Sequence, residues 1–440
     1  MSASADDPVP VTTGTALGKL HETPPAAPSG FESTENALGA IFGGSVPGAN
    51  LYPPIPQDIQ LQTNIEFGRA DERPLSLDFS SPKVGSEPVP GVILIHGGGW
   101  RSDSRNDYRY YAVALADDPV SVITGTALEA LGDTPPEPPA GFASSDEAMQ
   151  AVNTGQVPLV VVFGPIPPGV EIKRDVEYGR AGNRPLLLDL YLPKNVDGAV
   201  PGLVFIHGGG WKSGGKEDYR FYGLRFAEKG YVVASIQYRL SREAQYPAAV
   251  HDVKAAVRWM RSEAESVGVD PQHIGVAGGS AGGHLSMMVA YSSDVPELDG
   301  DSGHPGVSSR VQCIVDLYGP TDLTTQFSRT RSVEDSSLSR FFDGTYGEQK
   351  QNYEAASPIR YVTSDDPPTL ILHGTIDEIV PIEQADLLAR CLHEAGVPYL
   401  YDRLPGWPHA MDLALSVNER CVWLMERFFD RYLRQGVAEQ

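Results

Sequence analysis

The apolar positions of the chain change their spacing near Val170. Upstream, roughly over 6–58 and 117–168, they keep no sustained period and are broken by prolines, alanines and serines, so both stretches read as linkers. From Val170 onward the chain alternates. Leu186-Leu187-Leu188-Asp189-Leu190-Tyr191-Leu192 and Gly202-Leu203-Val204-Phe205-Ile206 predict strands, as do 231–237, 273–277, 311–317 and 369–372. Between and after them the spacing is helical over 248–266, 283–291, 381–395 and 417–433. Strands and helices taking turns at these lengths predict an α/β domain with a mostly parallel sheet covered on both faces.

The same pass exposes a repeat. Residues 6–116 align without a gap onto 117–227 at a constant offset of 111. Asp6-Asp7-Pro8-Val9 returns as Asp117-Asp118-Pro119-Val120, Phe67-Gly68-Arg69-Ala70 as Tyr178-Gly179-Arg180-Ala181, and His96-Gly97-Gly98-Gly99-Trp100 as His207-Gly208-Gly209-Gly210-Trp211. Two copies do not make a solenoid, which needs at least three. Copy one stops inside a helix that copy two completes, and it has Ser80-Ser81 where copy two has Tyr191-Leu192. The reading is therefore a complete domain over 170–440 preceded by a Pro-rich region, 1–169, that holds a truncated duplicate. Strand-forming runs at 75–79 and 92–95 lack a continuation, and unpaired strands seek an edge, so copies of the chain are expected to associate through 6–116.

Composition narrows the partners. With 57 acidic against 34 basic side chains the formal charge is -23, which repels phosphate backbones and anionic lipid, so neither nucleic acid nor membrane is an expected partner. No apolar run approaches the ~18 residues of a membrane-spanning helix. The opening Met-Ser-Ala-Ser-Ala-Asp-Asp has neither the basic nor the apolar region of a secretory leader, which suggests the cytoplasm by default, or a mature secreted protein. Cys313, Cys391 and Cys421 are too scattered for a zinc knuckle or a redox pair and read as buried thiols. Asp294, Glu297, Asp299 and Asp301 crowd one loop without the spacing of a calcium site. No metal and no organic cofactor is expected.

The chemistry lies in two glycine clusters. Gly278-Gly279-Ser280-Ala281-Gly282 follows one predicted strand and opens a helix, the context of a nucleophile elbow. The flanking Gly278 and Gly282 are needed because a larger side chain would meet the neighbouring strand and helix. Ala281 offers its N–H at the helix start, where unpaired donors favour a developing anion. His207-Gly208-Gly209-Gly210-Trp211 follows another strand, and its glycines let Gly208 and Gly209 turn their N–H groups toward one oxyanion. A phosphate loop would need the missing Lys-Ser/Thr ending. In this sheet type an acid and then a histidine follow the serine. Asp377, in the loop after 369–372, is preferred to Glu378 and Asp322. His409, in the loop Pro405-Gly406-Trp407-Pro408-His409, is the candidate base. His284 and His373 fit scaffolding, and His304 and His393 fall in a solvated loop and on a surface helix.

At these residues the chain resembles the α/β-hydrolase superfamily, and within it the esterases that pair His-Gly-Gly-Gly-Trp with Gly-Gly-Ser-Ala-Gly-Gly-His. That branch includes feruloyl and acetyl esterases, carboxylesterases of the hormone-sensitive-lipase type and kynurenine formamidase-like enzymes. The resemblance covers about 170–440. It implies an eight-stranded α/β-hydrolase sheet and a serine carboxylesterase acting on a small-molecule or saccharide-linked ester. Ser280 would attack, His409 relay the proton, Asp377 orient the imidazole, and Gly208, Gly209 and Ala281 hold the oxyanion. An amide or N-formyl hydrolase on the same residues, and a non-catalytic binding protein with a blocked pocket, are the alternatives. The crossover 323–357, with Phe327, Phe341, Phe342, Tyr346 and Tyr353, either walls the acyl site or packs as core.

Overall fold

The computed structural model describes residues 59–70, 73–82, 123–127, 135–194 and 196–434. The first Pro-rich stretch, the run at 92–95 and the copy-one glycine loop His96–Trp100 lie outside them. The chain divides into two compact units, Met1–Ser121 and Val122–Gln440.

In the first unit, β1 (Ile59–Ala70) and β2 (Arg73–Pro82) form an antiparallel hairpin. Ile59 pairs with Pro82 and Ala70 with Arg73, with register shifts between Gln62 and Ile65 and between Glu66 and Gly68. In the second unit β4 (Val170–Ala181) and β5 (Arg184–Pro193) pair Val170 with Pro193 and Ala181 with Arg184, with shifts between Lys173 and Val176 and between Glu177 and Gly179. Adding 111 to every position of one register reproduces the other, bulges included. The duplicated sequence thus carries a duplicated hairpin geometry, as expected where bulges and turn set register locally.

The second unit is built on a nine-stranded sheet. Its further strands are β3 (Ile123–Thr124), β6 (Val200–Ile206), β7 (Val232–Ile236), β8 (Val269–Gly279), β9 (Cys313–Leu317), β10 (Thr369–Gly374) and β11 (Tyr399–Leu404), in the order β3-β11-β10-β9-β8-β6-β7-β5-β4. Neighbours from β7 through β11 run parallel, and antiparallel pairs occur at the β5, β4 and β3 edges. The eight strands from Val170 onward are the expected α/β-hydrolase sheet, and β3 adds a two-residue ninth.

Central strands such as β7, β9 and β10 are buried at every position, as continuous apolar runs in parallel strands must be when both faces are covered. One face carries α3 (Ala248–Ser262), α4 (Ala281–Tyr291) and α5 (Glu383–Ala395), through Val253, Leu285 and Leu388. The other carries α2 (Arg220–Glu228) and α6 (Leu415–Phe429), through Phe226, Met425 and Phe429. A nine-residue helix, α1 (Ser145–Asn153), begins on Ser144, whose side chain accepts from the Glu147 N–H. The helix expected over 248–266 breaks at Glu263 into a last turn, Ala264–Val267, that Gly268 closes in the left-handed region at φ +75°.

The compact unit begins at Val122, ahead of the boundary at 170 that the change of texture suggests. Scattered anchors far apart in sequence tie the intervening stretch down, three of them at its start. β3 pairs with β11, Phe142 packs edge-on against Trp407 at 5.4 Å, and the Trp407 indole donates to the Pro139 carbonyl at 3.0 Å. Such anchors leave no periodic trace in sequence.

Candidate active site

The elbow forms because β8 ends in glycines and α4 begins at once. Ser280 sits between them at φ 55° and ψ −121°, a conformation costly for a residue with a Cβ. It is held by its own N–H, given to the Leu317 carbonyl at 2.8 Å, and by its carbonyl, which accepts from His284 N–H at 3.0 Å. The turn leaves no room for side chains. A methyl on Gly278 would overlap the Gly282 carbonyl, and one on Gly282 would overlap the Ile206 carbonyl on β6. Gly282→Ala should therefore destabilise the fold by about 1–3 kcal/mol or more, read as a fall in Tm, because the obstruction is backbone that cannot step aside.

β10 and β11 deliver the other two groups. His409 Nε2 lies 2.9 Å from Ser280 Oγ, and His409 Nδ1 lies 2.6 Å from Asp377 Oδ2. The carboxylate can only accept, so Nδ1 carries the proton and Nε2 faces the serine hydroxyl as an acceptor. Asp377 is 6% exposed and well supplied with donors. Its Oδ1 accepts from the Ile379 and Val380 N–H groups at 2.8 Å each, and His373 Nε2 approaches Oδ2 at 3.3 Å. Burial pushes this carboxyl up, but the bonds and charges of His373 and His409 pull it further down, to about 2. The acid is held ionised.

The second glycine cluster lies against the serine. A Cβ on Gly208 would stand 2.9 Å from the Gly279 carbonyl and 3.4 Å from Ser280 Cβ, so this loop passes in direct contact with the elbow. Gly209 and Gly210 take φ +100° and +59°, and Trp211 takes +56°. The carbonyls of this loop are occupied. His207 Nδ1 lies 2.8 Å from the Gly208 carbonyl, the Tyr238 hydroxyl donates to the His207 carbonyl at 3.1 Å, and Ser213 N–H donates to that of Gly209. Among the described residues the Gly208 and Gly209 N–H groups are given to no other acceptor. His207 is stacked on Tyr238, and burial lowers its pKa, so the ring is a neutral brace.

The remaining candidates take supporting places. His284 is buried, with its pKa lowered by burial to about 4. Its Nε2 donates to the Ala356 carbonyl at 2.7 Å, and its Nδ1 accepts from the Trp211 indole at 3.3 Å, which fixes the end of the glycine loop. Asp322 accepts from Thr324 in its own turn. Phe341 and Phe342 are each 1% exposed; Phe341 stacks on Trp211 at 4.7 Å and Phe342 lies on Tyr353 at 3.9 Å, so this part of the crossover is core. A surface hollow of about 590 Å³ lined by Lys173, Glu177, Trp259 and His304 shares no residue with the site.

Tyr219, Tyr222, Tyr318 and Asp412, none of them in the two glycine clusters, in the loop of Asp377 or in 405–409, gather beside Gly279 and His409. A carboxylate three residues past the candidate base was the available signal.

Known proteins resemble this chain in sequence and in fold. Residues 188–392 match the family model described as BD-FAE. The esterase LipQ of Mycobacterium tuberculosis is 32% identical over 283 residues, 63% of this chain and 66% of LipQ. The probable carboxylic ester hydrolase LipM of the same organism is 33% identical over 251 residues, 55% of this chain and 56% of LipM. The chain thus spans between about half and two thirds of the length of these relatives. Among solved structures, the esterase Est2 of Thermogutta terrifontis with propionate bound superposes at TM-score 0.52 and 28% identity, over 61% of this chain and 97% of that one. Esterase 2 of that species phosphorylated by paraoxon gives 0.51 at 28% identity, over 62% and 99%.

Proposed function

We propose that this chain, whose Val122–Gln440 unit has the fold of α/β-hydrolase esterases and whose relatives are named esterases, hydrolyses carboxylic esters through a serine acyl-enzyme. The observation that carries the proposal is the unbroken run from Ser280 Oγ through His409 to Asp377, 2.9 and 2.6 Å long, lying against Gly208. Ser280 Oγ bonds to the ester carbonyl carbon while His409 Nε2 takes its proton. The resulting oxyanion is received by the N–H groups of Gly208, Gly209 and Ala281. As the tetrahedral centre collapses, His409 returns the proton to the departing alcohol oxygen. A water then gives its proton to His409, its oxygen bonds to the acyl carbon, and the acid leaves as Ser280 recovers its hydrogen. The Asp377 charge holds the imidazole in the tautomer both halves require.

The substrate proposed is a small or saccharide-linked ester with a short acyl group such as acetyl. The aromatic cluster of Trp211 and Phe341 beside the glycine loop is closed by its own stacking, which favours a short acyl chain over a long one. The Est2 complex with propionate is consistent with that size. A fluorophosphonate probe tests the chemistry: stoichiometric labelling at Ser280 supports it, and an unlabelled full-length protein defeats it. Competition between p-nitrophenyl acetate and an N-formyl amide then separates ester from amide hydrolysis, with the acetate ester expected to be preferred.

We also propose self-association through the duplicated segment. Its hairpin repeats, position by position, the register of a hairpin that elsewhere pairs through β5 with β7. A Leu77→Pro exchange in β2 removes a ladder donor. It should shift the full chain toward monomer in sedimentation; an unchanged mass would end this idea.

A further inference from the structure

Beneath the candidate active site lies a buried acid that the mechanism above does not use. Asp412 is fully buried, three residues beyond His409, with Ala410 in the left-handed region at φ +57° between them. Its Oδ1 accepts the Tyr318 hydroxyl and its Oδ2 accepts the Tyr222 hydroxyl at 3.0 Å. Asn418 fixes its backbone by donating to the Asp412 carbonyl at 3.0 Å. Among the described residues, no lysine or arginine pairs with this carboxyl. Burying a carboxyl among phenols is costly, and here the cost is incurred next to the proton-transfer machinery.

Tyr318 connects that acid to the reacting groups. It follows β9 at φ +45°, a strained position, and its N–H is tied to the Leu372 carbonyl at 2.9 Å. Its ring meets the His409 imidazole with centroids 4.7 Å apart and planes at 63°. Its hydroxyl, together with that of Tyr219, fills the space where a Cβ on Gly279, the residue before Ser280, would stand. The preceding residue, Leu317, supplies the carbonyl that accepts the Ser280 N–H. One strained tyrosine therefore touches the elbow, the base and a buried carboxylate.

We propose that Asp412, acting through Tyr318, is a positioning residue for His409: a second acidic arm that keeps Nε2 aimed at Ser280 and favours the imidazolium formed when the serine proton is taken. Asp377 fixes the ring through Nδ1, whereas the Tyr318 ring bears on its surface and is itself locked by Asp412. Burial raises its pKa above the usual carboxylate range, and the bonds from Tyr318 and Tyr222 and the attraction of His409 offset only part of that rise, so these neighbours are what favour its charged form. The proposal rests on the serine-hydrolase reading but is separable from it.

The test uses Asp412→Asn, Asp412→Glu and Tyr318→Phe in the full chain, with active sites counted by fluorophosphonate titration. Per titrated site, Asp412→Asn and Tyr318→Phe should lower kcat for p-nitrophenyl acetate by about 10–100-fold and leave KM within about twofold. For Asp412→Asn the acid limb of kcat/KM should move to lower pH by about half a unit, because losing a nearby negative charge weakens proton binding at the imidazole. The groups facing His409 that set this limb are Asp377 and His373 from the β10 side, Tyr318 from β9, Asp412 from its own loop, and Tyr219 and Tyr222 of the α2 region behind them. Asp412→Glu, which restores the charge, should return the limb toward the wild-type position. Full kcat per titrated site with an unmoved limb would overturn the proposal, as would a fall in Tm alone. Wild-type protein that neither labels nor turns over would instead defeat the hydrolase reading. Tyr318→Phe, which preserves the ring, keeps the test open if Asp412→Asn does not fold.

Discussion

Ser280→Ala is expected to lower kcat for p-nitrophenyl acetate by about 10⁵- to 10⁶-fold while leaving Tm within a few degrees of wild type. In the proposed mechanism the nucleophile works as one unit with its base, so its removal would leave only the oxyanion donors and binding, worth roughly 10³–10⁴ over water. The small effect on stability follows from the geometry. Ser280 Oγ gives its bond to His409 at the surface of the site, whereas the elbow is held by backbone bonds to Leu317 and His284 that the exchange leaves intact. Alanine must still occupy φ 55°, so the strain persists. The measurement is kcat by burst-resolved kinetics, paired with fluorophosphonate labelling and calorimetry. Turnover within tenfold of wild type would remove Ser280 from the mechanism, and a collapsed Tm with residual labelling would show that its role is structural.

The parts of this architecture that were legible in sequence share one property: their determinants are local. Parallel strands buried on both faces have to be continuous apolar runs, so β6, β7, β9 and β10 stand out. An elbow that tolerates no side chain has to be written in glycine, so Gly278 and Gly282 announce the turn, and the overlaps with the Gly282 and Ile206 carbonyls give the reason. The supporting histidines were also legible in kind. His284 clamps Trp211, and His373 reaches the Asp377 loop through the Val380 carbonyl.

What escaped is long-range and aromatic. The cluster of Tyr219, Tyr222, Tyr318 and Asp412 joins α2, the end of β9 and the loop after β11, and beyond the place of Asp412 three residues after His409 nothing in the spacing of those residues foretells it. It depends on two residues, Tyr318 and Ala410, adopting left-handed backbone that their side chains disfavour. The stretch between Val122 and Val170 escaped for a related reason. It joins the unit by single anchors, Phe142 on Trp407 and Ile123–Thr124 on β11, rather than by a periodic face. The aromatics of the crossover had two readings, and the stacking of Phe341 on Trp211 makes those at 341 and 342 core. That contact links core packing directly to the residue that ends the glycine loop.

Asp377→Asn is expected to leave the shape of the site in place and to lower kcat by about 10⁴-fold, because an amide can donate to Nδ1 and so stabilise the imidazole tautomer whose Nε2 cannot accept the serine proton. The acid's environment adds a second, independent consequence. In the folded protein its pKa is about 2, against ~3.9 in an unfolded chain. A folded-state pKa lowered in this way contributes stability that is fully present above pH ~4 and is lost as the pH falls through about 2. That contribution is on the order of 2 kcal/mol. The asparagine variant lacks it, so its stability should fall less than that of wild type between pH 4 and pH 2, while at pH 7 the variant is the less stable of the two. Chemical denaturation of both proteins across that interval, set beside kcat at pH 7, checks both effects. A variant that keeps wild-type turnover would show that Asp377 does not orient the base. Parallel stability curves would show that its ionisation is not coupled to the fold through His409 and His373.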